Sequence, residues 1–188
     1  MRIEVWTDYG PQNSKDIFKK FITSLRNAGE DVRINEECNA DVAVIWSVLW
    51  RGRMEGYKRI WDKYRKAGKP VIVLEVGGLR RNESFKIGIN GINRDADFAN
   101  QIFDDKRWPL FKHKLRPWNP TGDIIVICGQ HDSSDQWKGL PRMGQWIQQQ
   151  IKEIRQYTTR PILVRPHPRN NIDFKESKFE NVKVRHPK

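Results

Sequence analysis

Apolar positions along this chain switch between a period of two and a period near 3.6, which predicts alternating strands and helices. Residues 2–7, Arg-Ile-Glu-Val-Trp-Thr, alternate polar and apolar as a strand does. Asp8, Gly10 and Pro11 mark a turn. Asn13 or Ser14 can cap a helix with Asp16 in its first turn. Ile17, Phe18, Phe21, Ile22 and Leu25 then recur at helical spacing until Gly29 ends the helix. Residues 31–34 predict a short strand. Residues 41–46, Asp-Val-Ala-Val-Ile-Trp, are almost unbrokenly apolar, as in a strand buried on both faces. Residues 54–67 read as a helix with Tyr57, Ile60, Trp61 and Tyr64 on one face and Gly68 as its cap, and Pro70 leads into the apolar run 71–74. Such alternation predicts a mostly parallel sheet covered by helices, joined by right-handed crossovers. Ligands of such sheets gather at the C-terminal ends of the strands, here residues 7–10, 46–53 and 75–81.

Residues 77–121 change character. Gly77, Gly78, Gly88, Gly91 and the asparagines at 82, 90 and 93 predict loops, and Leu115-Arg-Pro-Trp-Asn-Pro120 predicts a linker stiffened by proline. A second pattern follows: a buried strand over 123–128, a polar loop over 129–139, a helix over 141–157 with Tyr157 on its apolar face, a strand over 161–164 and a further one at 182–184. The expected fold class is α/β. A Rossmann-like parallel-sheet domain spans residues 1–100, a linker spans 101–121, and a second Rossmann-like domain occupies 122–188. The second domain looks incomplete, because its 67 residues fall short of the roughly 100–150 usual for a domain. The alternative is a small βαβ appendage that completes the first domain's sheet.

Charge narrows the partners. The 188 residues carry 35 Lys and Arg against 23 Asp and Glu, a formal net charge of +12. Such a field attracts polyanions: nucleic acid, nucleotide phosphates or an anionic surface. Mean hydropathy is −0.78, yet the 8 tryptophans are too many for a disordered chain. No apolar run approaches the ~18 residues of a membrane span. The N-terminus lacks the apolar core of a signal peptide, and two cysteines build neither a disulfide scaffold nor a Cys-rich metal site. These features predict a reduced, cytoplasmic protein with no membrane partner. His113, His131, His167 and His186 show no ligand spacing, so no metal is expected.

Four segments could carry chemistry. In Arg160-Pro-Ile-Leu-Val-Arg165-Pro-His-Pro-Arg169, a buried strand delivers Arg165, His167 and Arg169 to its C-terminal end, and two prolines hold the backbone extended beyond it. Guanidinium groups pair with phosphate, and an imidazole can donate to a phosphate oxygen or a sugar hydroxyl. The plainer reading is a Pro-rich turn with solvated arginines. The loop Cys128-Gly-Gln-His-Asp-Ser-Ser-Asp-Gln-Trp137 runs from a strand into a helix, where backbone N–H groups can meet a phosphate. Gly129 would allow close approach, and Gln130, His131 and Ser133 could touch a nucleotide or sugar. It is neither a Walker loop nor a dinucleotide fingerprint. Glu75 ends a buried strand and is either a general base or the partner of Arg80 or Arg81. Asp8 has the same base reading, or forms a turn. Finally, residues 51–69 carry Arg51, Arg53, Lys58, Arg59, Lys63, Arg65, Lys66 and Lys69 against Glu55 and Asp62, with Trp50 and Tyr57 interleaved. That stretch is a nucleic-acid footprint or a solvated basic face. Lys106, Arg107, Lys112, Lys114 and Arg116 form a second basic stretch.

The strand ending Ile-Cys-Gly-Gln130, the Trp-containing helix after it and the Arg-Pro-His-Pro-Arg169 element together resemble glycosyltransferases of the two-Rossmann GT-B architecture. The match is to a group of phage-encoded members, and the stretch around Glu75–Gly78, Phe85 and Gly88–Asn93 resembles the same group. The resemblance implies transfer of a sugar from a nucleotide sugar, expected to be UDP-linked, with neither metal nor other cofactor. It implies an acceptor on the N-terminal domain, a donor on the C-terminal domain and an active site in the cleft between them. It places the protein in the cytoplasm of a phage-infected bacterium, with a modified base in DNA as acceptor, which the positive charge suits. Asp8 or Glu75 would then deprotonate the acceptor hydroxyl. Arg165, His167 and Arg169 would stabilise the leaving nucleotide phosphate, with Gly129, Gln130 and His131 orienting the ligand. Trp50, Arg51, Arg53, Lys58, Arg59, Arg80, Arg81 and Asn93 would meet the acceptor. GT-B proteins carry more chain after the Arg-Pro-His-Pro-Arg strand, so the resemblance also implies a missing C-terminal segment or a partner chain that completes the donor site. The rival expectations are an α/β protein that binds nucleic acid without turnover, and an inactive fragment of the transferase.

Overall fold

The computed structural model describes residues 1–79, 83–98, 106, 108–111, 115–118 and 121–186. The chain divides into two compact units, residues 1–107 and 108–188. Both are α/β, built on parallel-dominated sheets.

The first unit holds β1 (Arg2–Val5), α1 (Lys15–Asn27), β2 (Asp31–Ile34), β3 (Val42–Trp46), α2 (Gly56–Lys66), β4 (Val71–Val76) and β5 (Phe85–Ile89). The sheet order is β2-β1-β3-β4-β5; the first four strands are parallel and β5 is antiparallel to β4. α1 carries the chain outward from β1 to β2, and α2 carries it outward the other way, from β3 to β4. Right-handed crossovers in opposite directions put the two helices on opposite faces. Contacts agree. Phe18 of α1 meets Trp46, ring centroids 6.1 Å apart, while the Tyr57 hydroxyl of α2 donates to the Trp6 carbonyl at 3.0 Å. All five β3 residues are buried, as the apolar run demands.

Covered on both faces, β1 has no solvent side, and this changes the meaning of its polar position. Glu4 is only 1% exposed, and its carboxylate accepts from the Trp6 indole N–H at 3.1 Å and the Cys38 backbone N–H at 2.6 Å. A buried carboxylate needs such partners. Burial, and then the Glu4 carboxylate, hold the Tyr64 phenol well above its ordinary range.

The edge strand β5 lies where loops were expected. Its glycine and the asparagines around it mask a short alternation in which Phe85 and Ile87 stay partly exposed. β4 also runs one residue further than expected. Glu75 therefore lies inside the strand, cross-strand from Lys86, rather than at its end.

The second unit holds β6 (Ile125–Cys128), α3 (Met143–Ile154), β7 (Ile162–Arg165) and β8 (Val182–Val184), all strands parallel in the order β6-β7-β8. α3 packs Met143, Ile147 and Ile151 onto Ile127, Ile162, Val164 and Val182. At its far end the Arg155 guanidinium donates to the carbonyls of Thr158, Arg160, Glu180 and Asn181, tying the helix end to the entries of β7 and β8. Two expectations are corrected here. α3 ends at Ile154, three residues early, which leaves Tyr157 82% exposed instead of on the apolar face. β6 is buried on one face only: Ile124 and Val126 are about half exposed. The apolar run suggested cover on both faces, but among the described residues one helix packs on this sheet. No described helix of either unit is long and apolar enough to cross a membrane.

Gly144 enters α3 against backbone. A Cβ there would sit 2.5 Å from the Asp173 carbonyl oxygen, which cannot swing aside as a side chain can. Gly144→Ala is expected to cost about 1–3 kcal/mol by overpacking. Amide hydrogen exchange at α3 and β7 should speed up by roughly one to two orders of magnitude; unchanged exchange would contradict this packing.

Candidate functional site

In the second unit β6 and β7 end side by side, Cys128 opposite Arg165. The ladder continues one step, with the Gly129 N–H donating to the Arg165 carbonyl at 2.9 Å. Beyond it the two loops are stitched together. The Asn170 side-chain amide, itself buried, donates to the Gln130 carbonyl at 3.1 Å. The Gln130 side-chain oxygen accepts from the His131 N–H at 2.8 Å. His131 and His167 thereby come together edge to face, 5.2 Å between centroids.

Both imidazoles are oriented in the same way. The Ser133 N–H donates to His131 Nδ1 and the Arg169 N–H donates to His167 Nδ1, each at 3.2 Å. The Ser133 hydroxyl lies 2.7 Å from the same His131 nitrogen. With Nδ1 accepting, the proton of each neutral ring sits on Nε2. Two imidazole donors thus stand at adjacent strand ends. Arg165 and Arg169 are exposed beside them, and among the described residues neither guanidinium meets a carboxylate.

One expected feature is corrected. The first N–H of α3 is not free for a phosphate, because the Asp132 carboxylate accepts from the Met143 N–H at 2.6 Å. A negative charge already occupies that helix end, where it is favoured by the dipole. Gly129 also serves the fold: its Cα faces Met143 of α3 at a distance where a Cβ would be 3.4 Å from the sulfur.

In the first unit the strand-end loops hold Asp8 in place. Asn35, with φ of 51°, donates through Nδ2 to Asp8 Oδ1 at 2.7 Å and to the Thr7 hydroxyl at 2.8 Å, and accepts from the Thr7 N–H at 2.7 Å. Arg53 donates to the Gly10 carbonyl at 3.2 Å beside it. Glu75 instead turns one oxygen onto the Val76 N–H at 2.8 Å. Asn93 belongs to a turn, its carbonyl accepting from the Ala96 N–H at 2.9 Å. Arg80 and Arg81 lie outside the described residues, as do Asn82, Arg107, Lys112, His113 and Lys114.

The basic stretch of residues 51–69 is less free than its composition suggests. Lys58 pairs with Asp62, and both Lys63 and Arg59 reach Glu37, at 2.8 and 3.5 Å. Lys63, and then Arg59, hold the Glu37 carboxyl below its ordinary range. Glu37 comes from the β2–β3 loop, so counting acids within the helix alone misses it. Trp50 packs on Trp61, 5.7 Å between centroids, which commits its ring to the core's rim. Arg51 is exposed. Among the described residues no group of three metal-ligating side chains gathers.

Sequence reasoning missed two organising residues, Asn35 and Asn170. Asn35 directly follows a strand, where a left-handed residue is common, and that signal was present. For Asn170 nothing distinguished it from its neighbour Asn171. No protein-family model matches this chain, and no curated protein or solved structure matches it either.

The histidine geometry is directly measurable. Long-range proton–nitrogen correlation spectra of the neutral rings should show His131 and His167 both as Nε2–H tautomers. Asn170→Ala should cost about 1 kcal/mol, since it strips the half-buried Gln130 carbonyl of its donor. An Nδ1–H signal at either ring would overturn the arrangement.

Proposed function

We propose that the protein is a GT-B-like glycosyltransferase that holds the diphosphate of a UDP-linked sugar at the β6 and β7 strand ends and takes a modified DNA base as acceptor. The observation that supports this reading is the pair of oriented imidazole donors beside Arg165 and Arg169, which meet no carboxylate among the described residues. A leaving nucleoside diphosphate gains negative charge as the bond to the anomeric carbon breaks. Preset donors that do not have to reorganise stabilise that charge most where it develops. Guanidinium groups add charge-assisted hydrogen bonds that can be bidentate to phosphate. The other half of the reaction needs a base. The acceptor oxygen gives up its proton as it bonds the anomeric carbon, and the base receives that proton. Asp8 suits this role better than Glu75. Its carboxylate is exposed and oriented by Asn35, whereas Glu75 lies cross-strand from Lys86 with one oxygen engaged by backbone.

Calorimetric titration with UDP and a panel of UDP-sugars tests the donor half. Arg165→Ala with Arg169→Ala is expected to weaken binding at least tenfold, two charged contacts of about 1.5 kcal/mol or more being lost. Asp8→Asn should keep donor affinity and lose transfer to a DNA acceptor. Absence of binding by any nucleotide or nucleotide sugar would overturn the reading.

A further inference from the structure

The first unit has a groove that holds Asp8 and Arg53 at one end and otherwise runs beyond the site above. It is a cavity of about 660 Å³ between α1 and the end of β2. Lys15, Lys19 and Arg26 stand along one wall, and Arg53 closes the end near Gly10. Asp8 is the single carboxylate in its lining. At 100° per residue, Lys15, Lys19, Ile22 and Arg26 fall within a narrow strip of the helix surface, so the cations form a line rather than a cluster. At 1.5 Å per residue that line is about 16 Å long. The floor is apolar: Phe18 and Ile22, both buried, and Ile34, which is 38% exposed.

The α1 cations differ in their pairing from the first cations of α2. Among the described residues Lys15, Lys19 and Arg26 make no ion pair, whereas Lys58, Arg59 and Lys63 already share Asp62 and Glu37. An anion arriving at Lys15, Lys19 and Arg26 displaces only counterions, but one arriving at Lys58, Arg59 and Lys63 competes with carboxylates. Counterion release is what drives association with nucleic-acid phosphates. The length of the line also selects the ligand. About 16 Å matches roughly five nucleotides of a strand at 3.4 Å each, far more than one nucleotide's phosphates need. Ile34, the exposed part of the floor, offers an apolar edge beside it.

The geometry points to the α1 groove, and not the 51–69 helix, as the track for the phosphodiester backbone of a nucleic-acid strand. This rests on the nucleic-acid acceptor proposed above and is independent of the sugar donor. Fluorescence anisotropy with a labelled DNA strand of about 20 nucleotides, single and duplex, tests it between about 50 and 200 mM salt. Lys15→Gln, Lys19→Gln and Arg26→Gln together should weaken binding at least tenfold at the lower salt. They should also reduce the log–log salt slope by about 2–3, since each lost contact removes about 0.7–0.9. Lys58→Gln with Arg59→Gln should change affinity less than twofold. Asp8→Asn should tighten binding about threefold by removing the one opposing charge, a gain that misfolding cannot mimic. Binding by the unaltered protein that survives the α1 triple change would overturn the groove alone. No binding by the unaltered protein would overturn the groove and the nucleic-acid acceptor together.

Discussion

The turn between β1 and α1 has to pass between two helices that cover opposite faces of the same strand, and there is almost no room for it. A Cβ on Gly10 would meet the Tyr57 hydroxyl of α2 at 3.2 Å and the Phe18 ring of α1 at 3.3 Å. Gly56, at the start of α2, leaves space for the Tyr9 ring, which a Cβ would approach to 2.5 Å. Tyr9 and Tyr57 then meet edge to face, 5.4 Å apart. The turn is thereby pinned from both sides. Burial, and then the nearby Asp8 carboxylate, raise the Tyr57 phenol well above its usual range. It stays a neutral donor to the Trp6 carbonyl. Asp8 and the mouth of the α1 groove lie on this turn, and Arg53 reaches it through the Gly10 carbonyl, so whatever the first unit binds there meets a turn held by packing from both sides.

Much of this architecture was legible in the sequence. Apolar runs and helical spacing placed β1, β3, β4 and both covering helices, because a strand between two helices must be apolar on both faces and a helix on a sheet must be apolar on one. Gly29 and Gly68 adopt the left-handed conformation that ends α1 and α2, as their positions implied. What local pattern could not report was context. Glu4 looked like the solvent side of an alternating strand, but the second helix makes that face interior too. The 123–128 run looked fully buried, but its sheet is packed by one helix. β5 went unseen because its glycine and neighbouring asparagines outweigh five residues of alternation.

The candidate site divides in the same way. The Arg-Pro-His-Pro-Arg element and the Gly-Gln-His loop could be located by their place after apolar strands, and parallel pairing brings them together because β6 and β7 are neighbours. Their internal order was not visible. Asn170 bonding to Gln130, and backbone N–H groups bonding to both Nδ1 atoms, are events two residues apart in sequence or forty, with no distinctive spelling. Charge counting was misleading for a related reason: Glu37 reaches Arg59 and Lys63 of α2 from another loop, while Lys15, Lys19 and Arg26 of α1 make no ion pair among the described residues.

The occupied start of α3 bears on how the second unit could recognise a phosphate. In many α/β proteins a helix N-terminus after the first strand supplies backbone N–H groups and a favourable dipole. Here Asp132 uses that dipole to anchor its own loop. A phosphate at these strand ends would meet the Nε2–H groups of His131 and His167 and the exposed charges of Arg165 and Arg169. The two kinds of donor would do different work. The imidazoles, oriented by the fold, would supply direction, while the exposed guanidiniums would supply charge at some entropic cost on ordering. Recognition built this way depends on the loop stitch at Asn170 for its geometry and on ionic strength for its affinity. Loss of the stitch would leave the charges in place but scatter the direction.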